Sequence, residues 1–110
     1  METQERTVVK IPELIKIIKR GPNYFGVLGK PTTPLVSELR GKNVVVRLFV
    51  NGTEFAVRAR VTVETSYSPP RPRIIFPRAV EPFIRKLHGM EVYAVIEYEE
   101  GGNNTKTQSG

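Results

Sequence analysis

The sequence predicts a mainly β protein: a β-barrel with two short helices, built from two similar halves. Three observations carry that expectation. The first is a hairpin signal, NVVVRLFV and TEFAVRARVTVE on either side of Asn51-Gly52, whose arms alternate along their length. The second is the stretch 73–98, RIIFPRAVEPFIRKLHGMEVYAVIEY, which reads strand, proline, short helix, glycine, strand. The third is a fainter copy of that stretch within 26–50. Sliding back 48 positions sets Pro34 on Pro82, Leu35 on Phe83, Val36 on Ile84, Leu39 on Leu87, Gly41 on Gly89 and Val44 on Val92. Each half then reads strand-strand-helix-strand, with pseudo-repeats at about 6–50 and 53–99 of a single domain spanning 1–100. Neither half is long enough to bury a core alone, so the two are expected to close on each other as one pseudo-twofold barrel.

In chain order, residues 1–5 are polar and expected to fray. Thr7 to Ile11 alternates as a strand. Leu14 to Ile18, LIKII, suits a helical turn or a strand, and the barrel favours strand, broken or not at Pro12. Gly21-Pro22-Asn23 is a turn, and Tyr24 to Leu28 is a second strand in which Gly26 marks a bend or a close backbone approach. Residues 30–33 form a loop, with Thr33 able to cap a helix that opens on Pro34 and stops at Gly41.

The Asn51-Gly52 hairpin follows, as a type I′ turn. Val44, Val46, Leu48 and Val50 share one face with Phe55, Val57, Ala59, Val61 and Val63, and Val50 is expected opposite Thr53. That register sets Arg47 opposite Ala56, diagonal to Glu54 and Arg58. Ser66 to Pro72, SYSPPRP, reads as a stiff linker in the place of the Gly21–Asn23 turn. Beyond Pro77, Val80, Phe83, Ile84 and Leu87 fall at helical spacing, with Glu81, Arg85 and Lys86 on the other face. Gly89 ends that helix, and Val92, Ala94, Ile96 and Tyr98 alternate as the last strand. Residues 101–110 carry no apolar period and are expected to be a disordered tail.

The second half also carries a family resemblance. Ile75 precedes Pro77 by two residues; Val80, Ile84, Gly89, Glu91 and Val92 follow it at three, seven, twelve, fourteen and fifteen. That spacing resembles the AbrB-type swapped-hairpin DNA-binding domains, with a motif of roughly I-x-P-x-x-V…L-G…G-x-E-V. A duplicated unit of this kind resembles the wider cradle-loop barrels, which include double-psi and RIFT barrels. The pattern departs at Arg85, where the family has glycine, and at Gly89-Met90-Glu91, where it has Gly-Asp-Glu. In the first half Gly29 replaces the motif proline, and Pro31 is displaced. The resemblance implies a barrel and a DNA-binding, transcription-regulating function.

Composition narrows the chemistry. There is no Cys, Trp or Asp and a single His, so thiolate chemistry, disulfides and an ordinary zinc site are not expected. No metal or other cofactor is expected. The absence of long apolar runs and of a signal-like N-terminus leads to the expectation of a soluble, cytoplasmic protein without a membrane partner. Scarce Gln, with no Cys or Asp, leans towards heat adaptation, as in a thermophile.

Enzyme signatures fail by missing parts. Gly29-Lys30 lacks both the first glycine and the hydroxyl of a phosphate-binding loop. His88 sits at a helix end beside Gly89, a capping or surface position. The aspartate dyad that double-psi barrels use in proteolysis has no residues to form it. Glu97, Glu99 and Glu100 read as a solvated strand end.

The net charge of +6, with ten Arg among seventeen basic residues, favours polyanions. Candidate nucleic-acid contacts are Arg47, Arg58 and Arg60 on the hairpin's outward face, and Arg71 and Arg73 flanking Pro72, with Tyr67 available to stack on a base. Lys16, Lys19 and Arg20 form a second group. The competing expectation is a solvated face whose arginines pair with Glu54 and Glu64. The reading that results is a non-enzymatic, basic DNA-binding protein, DNA being favoured over RNA. Two alternatives stay open. One is an interaction protein that forms a homodimer or larger homo-oligomer through a barrel edge or the Val45/Phe49 side. The other is a RIFT-type ligand binder or enzyme with a pocket at Gly26–Lys30.

Overall fold

The computed structural model describes residues 7–28, 35–36, 38–66 and 70–100. Six strands form: β1 (Thr7–Arg20), β2 (Asn23–Val27), β3 (Asn43–Val50), β4 (Thr53–Glu64), β5 (Arg71–Ile75) and β6 (Glu91–Glu100). They close into a barrel in the order β1-β2-β5-β4-β3-β6, with every neighbouring pair antiparallel. Between β5 and β6 lies a helical segment made of a 3₁₀ turn (Arg78–Val80), the α-helix α1 (Glu81–Ile84) and a second 3₁₀ turn (Arg85–Leu87). Of the helix expected to open at Pro34, only Leu35 and Val36 are described, and both are helical. Thr33, Pro34 and the tail 101–110 lie outside the described residues.

Period-two patterning places the core. Ile11, Ile15 and Ile17 of β1, Val44, Val46 and Leu48 of β3, and Val92, Ala94 and Ile96 of β6 are all buried. LIKII is strand throughout: β1 runs unbroken through Pro12. Proline is tolerated there because β1 is paired only with β6 at that point, β2 joining no earlier than Lys16. Pro72 is tolerated for the same reason. It pairs with Val63 of β4 before β2 joins at Arg73, so the expected linker ends earlier and 71–72 belongs to β5.

The two halves are related in register as well as in order. Exchanging β1 with β4, β2 with β5 and β3 with β6 leaves the set of paired strands unchanged. Adding 48 carries Phe25↔Ile75 into Arg73↔Val27, with Gly26↔Ile74 mapping onto itself. The same shift carries Val45↔Glu97 into Tyr93↔Phe49, with Arg47↔Val95 self-paired. The long strands match at a shift of 44, since Ile17↔Gly26 becomes Val61↔Ile74. The shift rises by four because the two-residue turn 21–22 in the first half is answered by the six-residue connection 65–70. Val36 and Ile84, both fully buried, and Leu39 and Leu87, nearly so, are equivalent core residues of the two connections between strands.

Tight turns follow the residues that permit them. Asn51 and Gly52 have φ of 51° and 79°, both positive as a type I′ turn requires, and Val50 pairs with Thr53 as the alternation predicts. Gly26 is packed so closely that a Cβ there would lie 3.0 Å from Ile15 Cδ1 and 3.5 Å from Phe76.

Candidate nucleic-acid interface

The cations of the hairpin separate into engaged and open groups. Arg47, half-buried on β3, donates from Nε to Glu97 at 2.7 Å and from Nη1 to Glu54 at 2.7 Å. Those hydrogen bonds, Glu97's first and then Glu54's, raise its basicity above that of an ordinary guanidinium. A phosphate would have to displace two carboxylates to reach it. Arg58 and Arg60 alternate along the outward face of β4 and are both exposed. Among the described residues, no carboxylate lies within ion-pair distance of either.

The Pro72 group is rearranged by strand pairing. Arg73 was expected beside Pro72 as an available phosphate contact, but it is the third residue of β5, paired with Val27 on one side and Thr62 on the other. It is only 6% exposed, with Nη1 3.9 Å from Glu64 and a buried Nε that has no hydrogen-bond partner. Burial removes it from the set of phosphate contacts. Arg71 opens β5, exposed and in register with Glu64. The Glu64 carboxyl is held below its ordinary value of 4.5, first by the Ser66 hydroxyl at 2.6 Å. Partial desolvation opposes this, and the charges of Arg73 and Arg20 add to it. Tyr67 lies outside the described residues.

Lys16, Lys19 and Arg20 are exposed along the second part of β1. The Lys19 Nζ stands 5.8 Å over the Tyr24 ring, a cation–π distance. Tyr24 also meets the exposed His88 edge-on at 5.8 Å. Gly89 donates to the Ile17 carbonyl at 2.7 Å, so the helical segment is tied to the end of β1. The segment's exposed Arg85 and Lys86 are thereby carried to the β1 side of the barrel. Sequence patterning put Arg85 and Lys86 on a solvent face. Their nearness to β1 depends on a contact spanning most of the chain.

Glu13 was not singled out in the sequence, although the signal was there. It stands between Ile11 and Ile15 in the inward stripe of β1 and is only 8% exposed. A groove of about 630 Å³ beside Arg58 and Lys42 is also lined by Glu38, Glu97 and Glu99, so its charges are mixed. Of the expected pocket at Gly26–Lys30, Gly26 is filled by its neighbours' side chains, while Gly29 and Lys30 lie outside the described residues. Among the described residues, no group of three or more His, Cys, Asp or Glu is placed to hold a metal ion, and no helix is long and apolar enough to cross a membrane.

Comparisons with protein-family models, with curated proteins and with solved structures each find no match for this chain.

Proposed function

We propose that this barrel is a non-enzymatic nucleic-acid-binding protein that holds the phosphate backbone. The observation that carries the reading is the pair Arg58 and Arg60, two exposed guanidiniums on alternate residues of one strand with no carboxylate in ion-pair reach among the described residues. Guanidinium groups so placed are free to fork onto phosphate oxygens. Lys19 and Arg20 supply a second contact region, on the side of β1 to which the helical segment with Arg85 and Lys86 is tied, and Arg71 extends the first. Arg47 and Arg73 are left out, being held by carboxylates or buried.

DNA is favoured over RNA by the Ile75–Val92 spacing, which resembles the AbrB-type motif; on the same ground the protein is read as a transcriptional regulator. The duplicated strand-strand-helix-strand unit suits the cradle-loop barrels to which that motif is related. The test is an anisotropy titration with a duplex over a salt series. Four neutralised phosphates give a log–log slope of about −3.6. Absence of binding at low salt removes the reading.

A further inference from the structure

The outward face of β1, β6 and β3 carries an apolar row that the nucleic-acid reading does not use. Leu14 pairs with Tyr93 and Tyr93 with Phe49, which puts three large side chains side by side across three strands. They are 50%, 51% and 36% exposed, and the Tyr93 and Phe49 rings stand 5.7 Å apart. The next row down is Pro12, Val95, Arg47 and Ala56, apolar except for the arginine already held by Glu54 and Glu97. In the row above, Lys16 faces Glu91.

Charge decides what fits this surface. Lys16 is balanced by Glu91 and Lys10 by Glu97 across their strands, and Arg47 cancels Glu54 at the end of the Leu14 row. On a chain of net charge +6 this patch is neutral. It gives a polyanion no net attraction, and it gives an oppositely charged partner no field to complement. An apolar centre bordered by both signs complements a second copy of itself, because each copy brings an acid and a base to the rim. Two-fold self-pairing is also the commonest way identical chains associate.

We propose that two copies of this chain associate through the Leu14–Tyr93–Phe49 face. Three to four strands by three rows make a core of about 14 Å by 14 Å. That is smaller than the ~800 Å² per partner of a standard interface, so the complex is expected to be of micromolar strength, with rim residues completing the contact. Because its centre is apolar, it should persist in salt that abolishes phosphate binding.

The experiment is sedimentation equilibrium of the full chain from about 1 µM to about 500 µM, at low and at high salt. Tyr93→Ser and Leu14→Ser are measured beside the wild type, with circular dichroism to show that each is folded. The expected result is a rise towards dimer mass in the wild type at both salts, lost or shifted at least tenfold in concentration in either variant. A wild type that stays monomeric throughout overturns the proposal, as does a folded variant that associates like the wild type. Should one variant fail to fold, the other decides. A monomeric wild type whose binding to single-stranded DNA falls with Tyr93→Ser would reassign the row to base stacking, which also overturns the dimer. Since the centre of this association is Leu14, Tyr93 and Phe49 and contains neither Arg58 nor Arg60, it can fail while phosphate binding stands, and the reverse.

Discussion

Gly41 and Gly89 perform the same act in opposite halves of the barrel. Gly41 donates to the Val61 carbonyl at 2.8 Å and Gly89 to the Ile17 carbonyl at 2.7 Å, so each fastens its own half to the long strand of the other. Val61 and Ile17 answer with 3.0 Å bonds to the Lys42 and Met90 carbonyls. Both glycines have positive φ, 80° and 85°, which an L side chain adopts only with strain. The halves are thus interlocked, and neither forms its own clasp.

Replacing either glycine by alanine tests that equivalence. A Cβ at Gly41 or Gly89 would meet nothing within 4 Å, so the only cost is conformational. Each variant is expected to lose about 1–2 kcal/mol, by closely similar amounts, read from urea midpoints. A large inequality would mean that the two turns carry different loads.

Gly26→Ala acts by crowding. Its new methyl would sit 3.0 Å from Ile15 Cδ1, so that fully buried side chain would have to give way by a few tenths of an ångström. Destabilisation of about 1–3 kcal/mol is expected by thermal or chemical unfolding. A neutral result would show that the Ile15–Phe76 region holds slack.

Phosphate binding should discriminate among arginines that the sequence treats alike. Arg58→Ala and Arg60→Ala are each expected to reduce the salt slope by about one unit. Arg47→Ala should leave it unchanged, because Glu54 and Glu97 already occupy that guanidinium. Loss of binding in the Arg47 variant alone would invert the assignment.

Glu64 gives a pH dependence of known sign. Its carboxyl is held below 4.5 in the folded protein, so it contributes stability at pH values above 4.5 that is lost as pH falls through the lowered native value. Glu64→Gln should therefore separate from the wild type in urea midpoint near neutrality and converge with it in acid. Ser66→Ala should do the same in part, since the Ser66 hydroxyl is the first cause of the shift. A gap between wild type and variant that is constant with pH would exclude this origin.

The register also predicts where the chain can be reopened. Thr7 pairs with Glu100 at the place where the other half has Asn51-Gly52. A permuted chain with a short link between positions 100 and 7, and new ends at 51 and 52, should fold with a Tm within about 10 °C of the original. Failure to fold would show that the two places are not interchangeable.

Local pattern alone determined much of this protein. Alternation marked the strands and their inward residues, Asn51-Gly52 fixed the hairpin register, and the 48-residue echo foretold the paired halves. The first two are properties of neighbours in sequence: a two-residue period and a positive φ are decided within a few bonds. Tertiary structure alone decided which cations remain available. Arg47 and Arg58 look alike in the sequence, yet a carboxylate 50 residues away binds the first. Arg73 looks like an open cation beside Pro72 until strands from both halves enclose it. The exposed row of Leu14, Tyr93 and Phe49 likewise exists only once β1, β6 and β3 lie side by side. Solvent access belongs to the closed barrel as a whole, because it depends on side chains brought together from distant parts of the chain.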